Sequence, residues 1–204
     1  MDKVNERWGF LRETQEDAIK SGIEPDTGLC RTGLDEYLKV IFPEVNDWIH
    51  DKTIPNLPEG IKCRKRPDYR SETLKLIIEF DGFPHFQSPL QILKDKETIC
   101  LYESFGYRVV RIPFFIQLTN KAVETLFGIK VQEPLFKVKY PSLGINGSSP
   151  AYMCPAGITR MAEIFSLFPE QYEVNINHLK SFNNDYLTGA SLLESEYERI
   201  KKMR

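Results

Sequence analysis

A chain of 204 residues with a hydrophobic share of 41% is long enough for one domain with an appendage, and too apolar to remain disordered. Its formal net charge of -2 excludes a polycation, so any contact with nucleic acid needs a local basic patch. Cys30, Cys63, Cys100 and Cys154 are widely spaced and form no C-x-x-C pair, which argues against a zinc site, a redox motif or a disulfide framework.

Residues 1–8 are charged and lack the apolar run of a signal peptide, and no stretch approaches the ~20 apolar residues of a membrane span. The expectation is a soluble, cytoplasmic protein with no membrane partner. Val4, Trp8, Leu11, Ala18 and Ile19 predict an amphipathic helix, and residues 21–30 read as a loop; together they make an N-terminal segment, 1–30. A second helix is predicted from Thr32, with Thr32 and Asp35 spaced as a capping box and Leu34, Leu38 and Ile41 as its apolar stripe. Pro43 stops it.

Residues 48–54 read as a short strand, followed by a turn at Pro55, Pro58 and Gly60. Residues 61–69 and 74–81 read as two strands joined by Arg70, Ser71, Glu72 and Thr73, an antiparallel hairpin. In the second strand Leu74, Leu76, Ile78 and Phe80 face one way; Lys75, Ile77, Glu79 and Asp81 face the other. Ser88 and Pro89 open a helix that is expected to turn Ile92, Leu93, Lys96, Ile99 and Cys100 toward the core, with Gly106 at its end. A strand over 107–112 and a helix over 120–127 complete a core of residues 31–130. The order predicts an α/β (α+β) fold, a mixed central sheet flanked by helices. Residues 131–204 form a C-terminal extension, expected to pack as one unit with the core. It holds a strand over 136–140, a long loop over 141–155, a helix over 158–168 and a terminal helix over 191–203.

Asp68 and Glu79 end neighbouring strands of the hairpin, where one ion can be reached by both carboxylates. Hard divalent cations such as Mg²⁺ take such oxygen ligands, and they activate water for phosphodiester cleavage. Any one of these acids alone reads as an ordinary polar residue at a strand end. Together, Glu79 and Asp81 set like charges at the end of an apolar strand, and these repel unless a cation lies between them. Chemistry alone leaves the two readings even.

Pro67-Asp68, the apolar strand and Glu79-Phe80-Asp81 resemble the PD-(D/E)xK nuclease signature. The string Ile78-Glu79-Phe80-Asp81-Gly82-Phe83-Pro84-His85 is similar to the E-x-D-G-x-x-H segment of very-short-patch-repair-like endonuclease domains. The helix with Lys94, Asp95 and Lys96 and the strand Gly106-Tyr107-Arg108-Val109-Val110-Arg111 continue the likeness, which covers residues 32–111. The resemblance implies a restriction-endonuclease-like fold. It implies Asp68 and Glu79 as metal ligands with Glu36 beside them, His85 as general base, water-orienting group or metal-proximal ligand, and Mg²⁺ as cofactor, with Mn²⁺ as an alternative. The motif lysine is replaced by Asp81, an acidic neighbour of open role; its work is expected to fall to His85, or to Lys94 or Lys96 reaching in from the helix.

Lys62, Arg64, Lys65, Arg66 and Arg70 are expected to contact phosphates beside the site. Arg111 is expected to pair with a carboxylate. Asn146, Ser148, Ser149, Tyr152, Thr159 and Arg160 suit base or phosphate contacts by residue type. The function so implied is a divalent-metal-dependent DNA endonuclease of restriction or repair-nickase type, working as a homodimer or with a second nuclease subunit. The alternative is a non-catalytic nucleic-acid-binding subunit that keeps the nuclease fold.

Overall fold

Alternation in Leu76-Ile77-Ile78-Glu79-Phe80-Asp81 gives one strand two unlike faces, and the fold is assembled around them. The computed structural model of the chain describes residues 34–55, 57, 63–132, 135, 141–145 and 148–203. The N-terminal helix, the Thr32 cap, the turn at Pro58 and Gly60, Lys62, the strand over 136–140 and Asn146 lie outside the described residues.

Helix α1 (Asp35–Ile41) precedes β1 (Trp48–His50), β2 (Tyr69–Ser71) and β3 (Leu76–Asp81). A 3-10 turn, Phe83–Phe86, leads into α2 (Pro89–Ser104), β4 (Arg108–Pro113) and α3 (Asn120–Phe127). The sheet is four-stranded in the order β1-β2-β3-β4. β1 and β3 both run antiparallel to β2, and β4 runs parallel to β3. Parallel neighbours need a crossover, and α2 supplies it. The mixed sheet flanked by helices is the α+β layout that the order of elements predicts.

One face of the sheet, Leu76, Ile78, Val110 and Ile112, is covered by α1 and α3 through Leu34, Leu38, Val123 and Phe127. On the other face Ile77 packs with Tyr102 of α2, Tyr107 and Ile54. This second face carries Glu79 and Asp81.

Several boundaries differ from the sequence reading. β2 starts at Tyr69 rather than 61, because Pro67 has no N–H to extend the ladder. The hairpin turn falls at residues 72–75, closed by Lys75 in the left-handed region, φ 48°. β1 is also shorter than expected; Asp51, with φ 45°, turns the chain out of line. Gly106, with φ 83°, ends α2 as predicted. The buried face of α2 is not the one expected. Ile92, Asp95 and Tyr102 point inward, whereas Leu93, Lys96 and Cys100 are exposed.

The C-terminal extension is helical: α4 (Pro155–Phe165), α5 (Pro169–Ser181), α6 (Asp185–Thr188) and α7 (Ala190–Met203) follow a 3-10 turn, Pro150–Tyr152. Helix α5 was not anticipated. It opens on Pro169, and two of its inward residues are polar. Gln171 exchanges hydrogen bonds with the backbone of Gln117, and Asn175 Oδ1 accepts from the N–H groups of Ser142 and Leu143, each at 2.8 Å. Phe86, Phe114 and Phe115 of the sheet region share one core with Met161, Phe165 and Tyr172 of the extension. Burial of each such ring contributes ~2–3 kcal/mol over exposure. No helix among the described residues is long and apolar enough to cross a membrane.

Candidate active site

The β2–β3 ladder ends at Tyr69 and Ile78, and Asp68, the residue before Tyr69, is a bend. Alternation along β3 sets the Glu79 carboxyl on the α2 side of the sheet, and the charge of Asp68 reaches it. Asp68 Oδ2 accepts from the Phe80 N–H at 2.6 Å. Glu79 lies beside Arg111 in the β3–β4 register and accepts from the Tyr102 hydroxyl of α2. Burial pushes the Glu79 carboxyl up to about 7, the charge of Asp68 adds to the rise, and Arg111 opposes it. Burial raises Asp68 as well, with Asp81 adding to it and the Phe80 N–H, His85 and Arg111 working against it. Desolvation is thus the main reason that both acids hold their protons above the usual range.

A second cluster adjoins the first. Asp81 is fully buried at the end of β3. Arg111 forks onto it, with Nε 2.9 Å from Oδ2 and a second contact from NH2 to Oδ1. Arg160 of α4 donates to the same carboxylate from NH2 at 2.5 Å and to Asp95 Oδ2 from NH1 at 2.8 Å. Asp95 also accepts from Gln91 at 2.9 Å and faces His85 Nδ1 with both oxygens at 2.9 Å. Burial alone would raise Asp95; the His85 imidazole, Arg111, Arg160 and Gln91 outweigh it and hold the carboxyl well below its usual range. Burial opposes charge on His85, but the bond to Asp95 and the nearby carboxylates raise its pKa.

The two oxygens of Asp95 assign the His85 tautomer. A carboxylate cannot donate, so Nδ1 carries the proton and Nε2 keeps its lone pair in the neutral ring. Arg111 NH2 lies 3.3 Å from the same Nδ1, but it is turned to Asp81. The imidazole is 27% exposed, and Nε2 is the nitrogen left for chemistry.

Asp81, His85 and Asp95 bring ligand atoms within 4.8 Å of one another and have the composition of a metal site. Two guanidinium groups already neutralise that set, so a cation there must compete with Arg111 and Arg160. The pair Asp68 and Glu79 offers only oxygen donors, the kind that a hard divalent ion takes.

The residues singled out by sequence therefore divide. Asp68 and Glu79 lie close together, with His85 adjoining. Asp81 is a buried partner of two arginines. Lys94 and Lys96 are exposed on α2. Glu36 lies on α1, and its side chain is outside the described residues. Arg64, Lys65 and Arg66 are exposed, with Arg66 3.4 Å from Asp51. Arg70 is a correction: it is 2% exposed, donating to the Thr53 carbonyl at 3.0 Å and paired with Glu72, so it is not available to a phosphate. A cavity of about 530 Å³ lies beside Arg70, Glu72 and Tyr107 at the far end of β3, and Asp68, Glu79 and His85 do not line it.

Ser149 is buried and donates to the Leu187 carbonyl at 2.7 Å, and the half-buried Thr159 donates to Glu196 at 2.5 Å. The sequence reading quoted Asp95 without giving it a role. Its spacing from Ile92, Ile99 and Tyr102 places it on their face. Arg160 was assigned to nucleic acid; nothing local marks it as a partner of Asp95, sixty-five positions away. No protein-family model, no curated protein and no solved structure matches the chain.

Proposed function

We propose that this protein is a divalent-metal-dependent endonuclease that hydrolyses phosphodiester bonds in DNA, of the PD-(D/E)xK type that its motifs resemble. The observation that carries the reading is the closeness of Asp68 and Glu79, two half-buried acids of raised pKa, beside a histidine whose Nδ1 is held by Asp95. Asp68 and Glu79 would hold Mg²⁺ or Mn²⁺. Such an ion, when bound, supplies Lewis-acid charge and makes water more acidic.

The chain's own groups do the rest. His85 Nε2 accepts a proton from the attacking water or orients it, and Asp95 stabilises the imidazolium that results. Arg111 offsets the charge of Glu79 and holds Asp81 in place. Positive charge, which the usual motif draws from a lysine, comes here from Arg111 and Arg160. The exposed Arg64, Lys65 and Arg66 lead into Asp68 and suit the flanking phosphates.

A second reading, a binding subunit without catalysis, is favoured by Asp81 at the lysine position and by the exposure of Lys94 and Lys96. One experiment separates the two. Pure protein is incubated with plasmid, single-stranded DNA and RNA, with Mg²⁺ or Mn²⁺ or EDTA, and the cut ends are sequenced. The endonuclease reading expects metal-dependent ends on DNA that disappear in Asp68→Ala and Glu79→Ala. Intact substrates under every salt condition, with DNA still bound, would favour the binding subunit. Cutting that survives both changes would remove the assignment of the site.

A further inference from the structure

Helix α4 belongs to the C-terminal extension, yet its first turn lies directly on the backbone of the turn that carries His85. A Cβ at Gly157 would meet the Phe86 carbonyl oxygen at 1.9 Å, so only glycine permits this approach. The Cys154 N–H donates to that same oxygen at 3.2 Å, and Cys154 Sγ caps the helix by accepting from the Gly157 N–H. One turn further along, Arg160 passes over the Phe86 ring, 4.9 Å from its centroid, and its side chain is 18% exposed. Its guanidinium meets three segments at once. NH1 donates to the His85 carbonyl at 3.2 Å and to Asp95 at 2.8 Å, and NH2 donates to Asp81 at 2.5 Å.

We propose that Arg160 is a positioning residue for the reaction: it joins the end of β3, the His85 turn and α2, and so keeps His85 Nδ1 on Asp95 and Nε2 available to the water. The inference rests on the nuclease reading for its reaction, but its structural claim stands apart. The planar fork of arginine is what allows the three contacts; a lysine ammonium is a single point of charge and cannot span them. A direct phosphate contact is a poorer use of this side chain, because NH1 and NH2 are both engaged by internal acceptors. The extension is then part of the catalytic unit rather than a separate reader of sequence.

The test compares wild type, Arg160→Met, Arg160→Lys, His85→Ala and the His85→Ala/Arg160→Met double variant by cleavage kinetics and by two-bond ¹H–¹⁵N correlation of the imidazoles. The chain has three histidines, so the His85 signal is identified by its loss in His85→Ala. At a pH above the raised His85 pKa, where the ring is neutral, wild type is expected to show the Nδ1–H tautomer at His85, and Arg160→Met to lose it. The expected kinetics are a fall in kcat of about ten-fold or more with KM within about two-fold. In the His85→Ala background the second change should cost nothing further, because the two residues act as one unit. An unchanged tautomer, or an unchanged kcat, overturns the proposal. So does a rise in KM with a weaker salt dependence, the mark of a phosphate contact, and so does a double variant whose losses multiply. Should Arg160→Met not fold, Arg160→Lys decides: reduced kcat supports the proposal, and wild-type kcat with wild-type tautomer overturns it. Should wild type cleave nothing, the nuclease reading fails and the tautomer alone decides the role of Arg160.

Discussion

Asp68, one residue beyond the bridge between Tyr69 and Ile78, accepts the Phe80 N–H at 2.6 Å, and its charge acts on Glu79. Desolvation pushes the Glu79 carboxyl up to about 7, and the charge of Asp68 adds to the rise.

Stability should depend on pH through this pair. The Glu79 carboxyl titrates at an ordinary 4.5 when unfolded and at about 7 when folded. Between those values the native state holds a proton that the unfolded state has lost, so stability falls as pH rises across that window. The raised pKa of His85 acts in the same direction: its contribution is full below its unfolded value of 6.5 and is lost as pH climbs through the folded one. Thermal melts in EDTA from pH 5 to 8 should show a falling Tm. Glu79→Gln should flatten the acidic part of that slope and stabilise the protein by ~1–3 kcal/mol at pH 7.5. A Glu79→Gln curve parallel to wild type would contradict this account of the pair.

Metal binding should release protons. Both carboxylates must ionise to act as ligands, and near pH 6 Glu79 still holds its proton in the metal-free protein. Calorimetric titration with Mn²⁺ in two buffers of different ionisation enthalpy should give different apparent heats at pH 6 and converging heats at pH 8. Affinity should rise over the same range, and Asp68→Asn or Glu79→Gln should abolish the binding isotherm. Buffer-independent heats at pH 6, or binding retained in both variants, would place the ion elsewhere; the Asp81–His85–Asp95 cluster is the next place to look.

Asp81 should matter for stability more than for chemistry. Its side chain is fully buried and carries contacts from Arg111 and Arg160. Removing its charge leaves two guanidinium groups without their main partner, a loss of about 3–5 kcal/mol when a buried pair is broken from one side. Urea unfolding of Asp81→Asn measures it. A loss below about 1 kcal/mol would mean that the arginines find other acceptors.

The hairpin was legible because apolar alternation is strong in residues 76–80 and because Pro67 and the polar residues 70–73 punctuate it. Its turn was misplaced by two residues, since several polar residues in a row can each serve as the bend; φ at Lys75 settles which ones do. The inward face of α2 was misread because it carries Asp95, while Leu90 and Leu93 sit outside. A charged residue on a helix ordinarily reads as solvated, and only its partners His85, Arg111 and Arg160 explain its burial. Arg70 misled in the opposite sense. It continues a basic run, but its place in β2, opposite Ile77, turns it toward the Thr53 carbonyl. Helix α5 and Arg160 were hidden for one reason: their partners are long-range, and no local pattern announces them.

The basic stretch should then behave as two groups. Ala substitution of Arg64, Lys65 and Arg66 should weaken DNA binding for all sequences alike and reduce the slope of log K against log salt by ~0.9 per lost phosphate contact. Arg70→Ala should leave that slope unchanged and lower Tm instead. Fluorescence anisotropy across a salt series reads both. A slope that responds to Arg70 and ignores the other three would reverse the assignment.

The most direct measurement is the rate at which wild type and Glu79→Gln convert supercoiled plasmid to nicked or linear DNA with Mg²⁺ at pH 7.5, with folding of both confirmed by their melts. Conversion by wild type, none by Glu79→Gln, and a variant Tm at or above that of wild type is the predicted result. Equal rates for the two proteins, or no conversion by either, would contradict a catalytic centre built on Asp68 and Glu79.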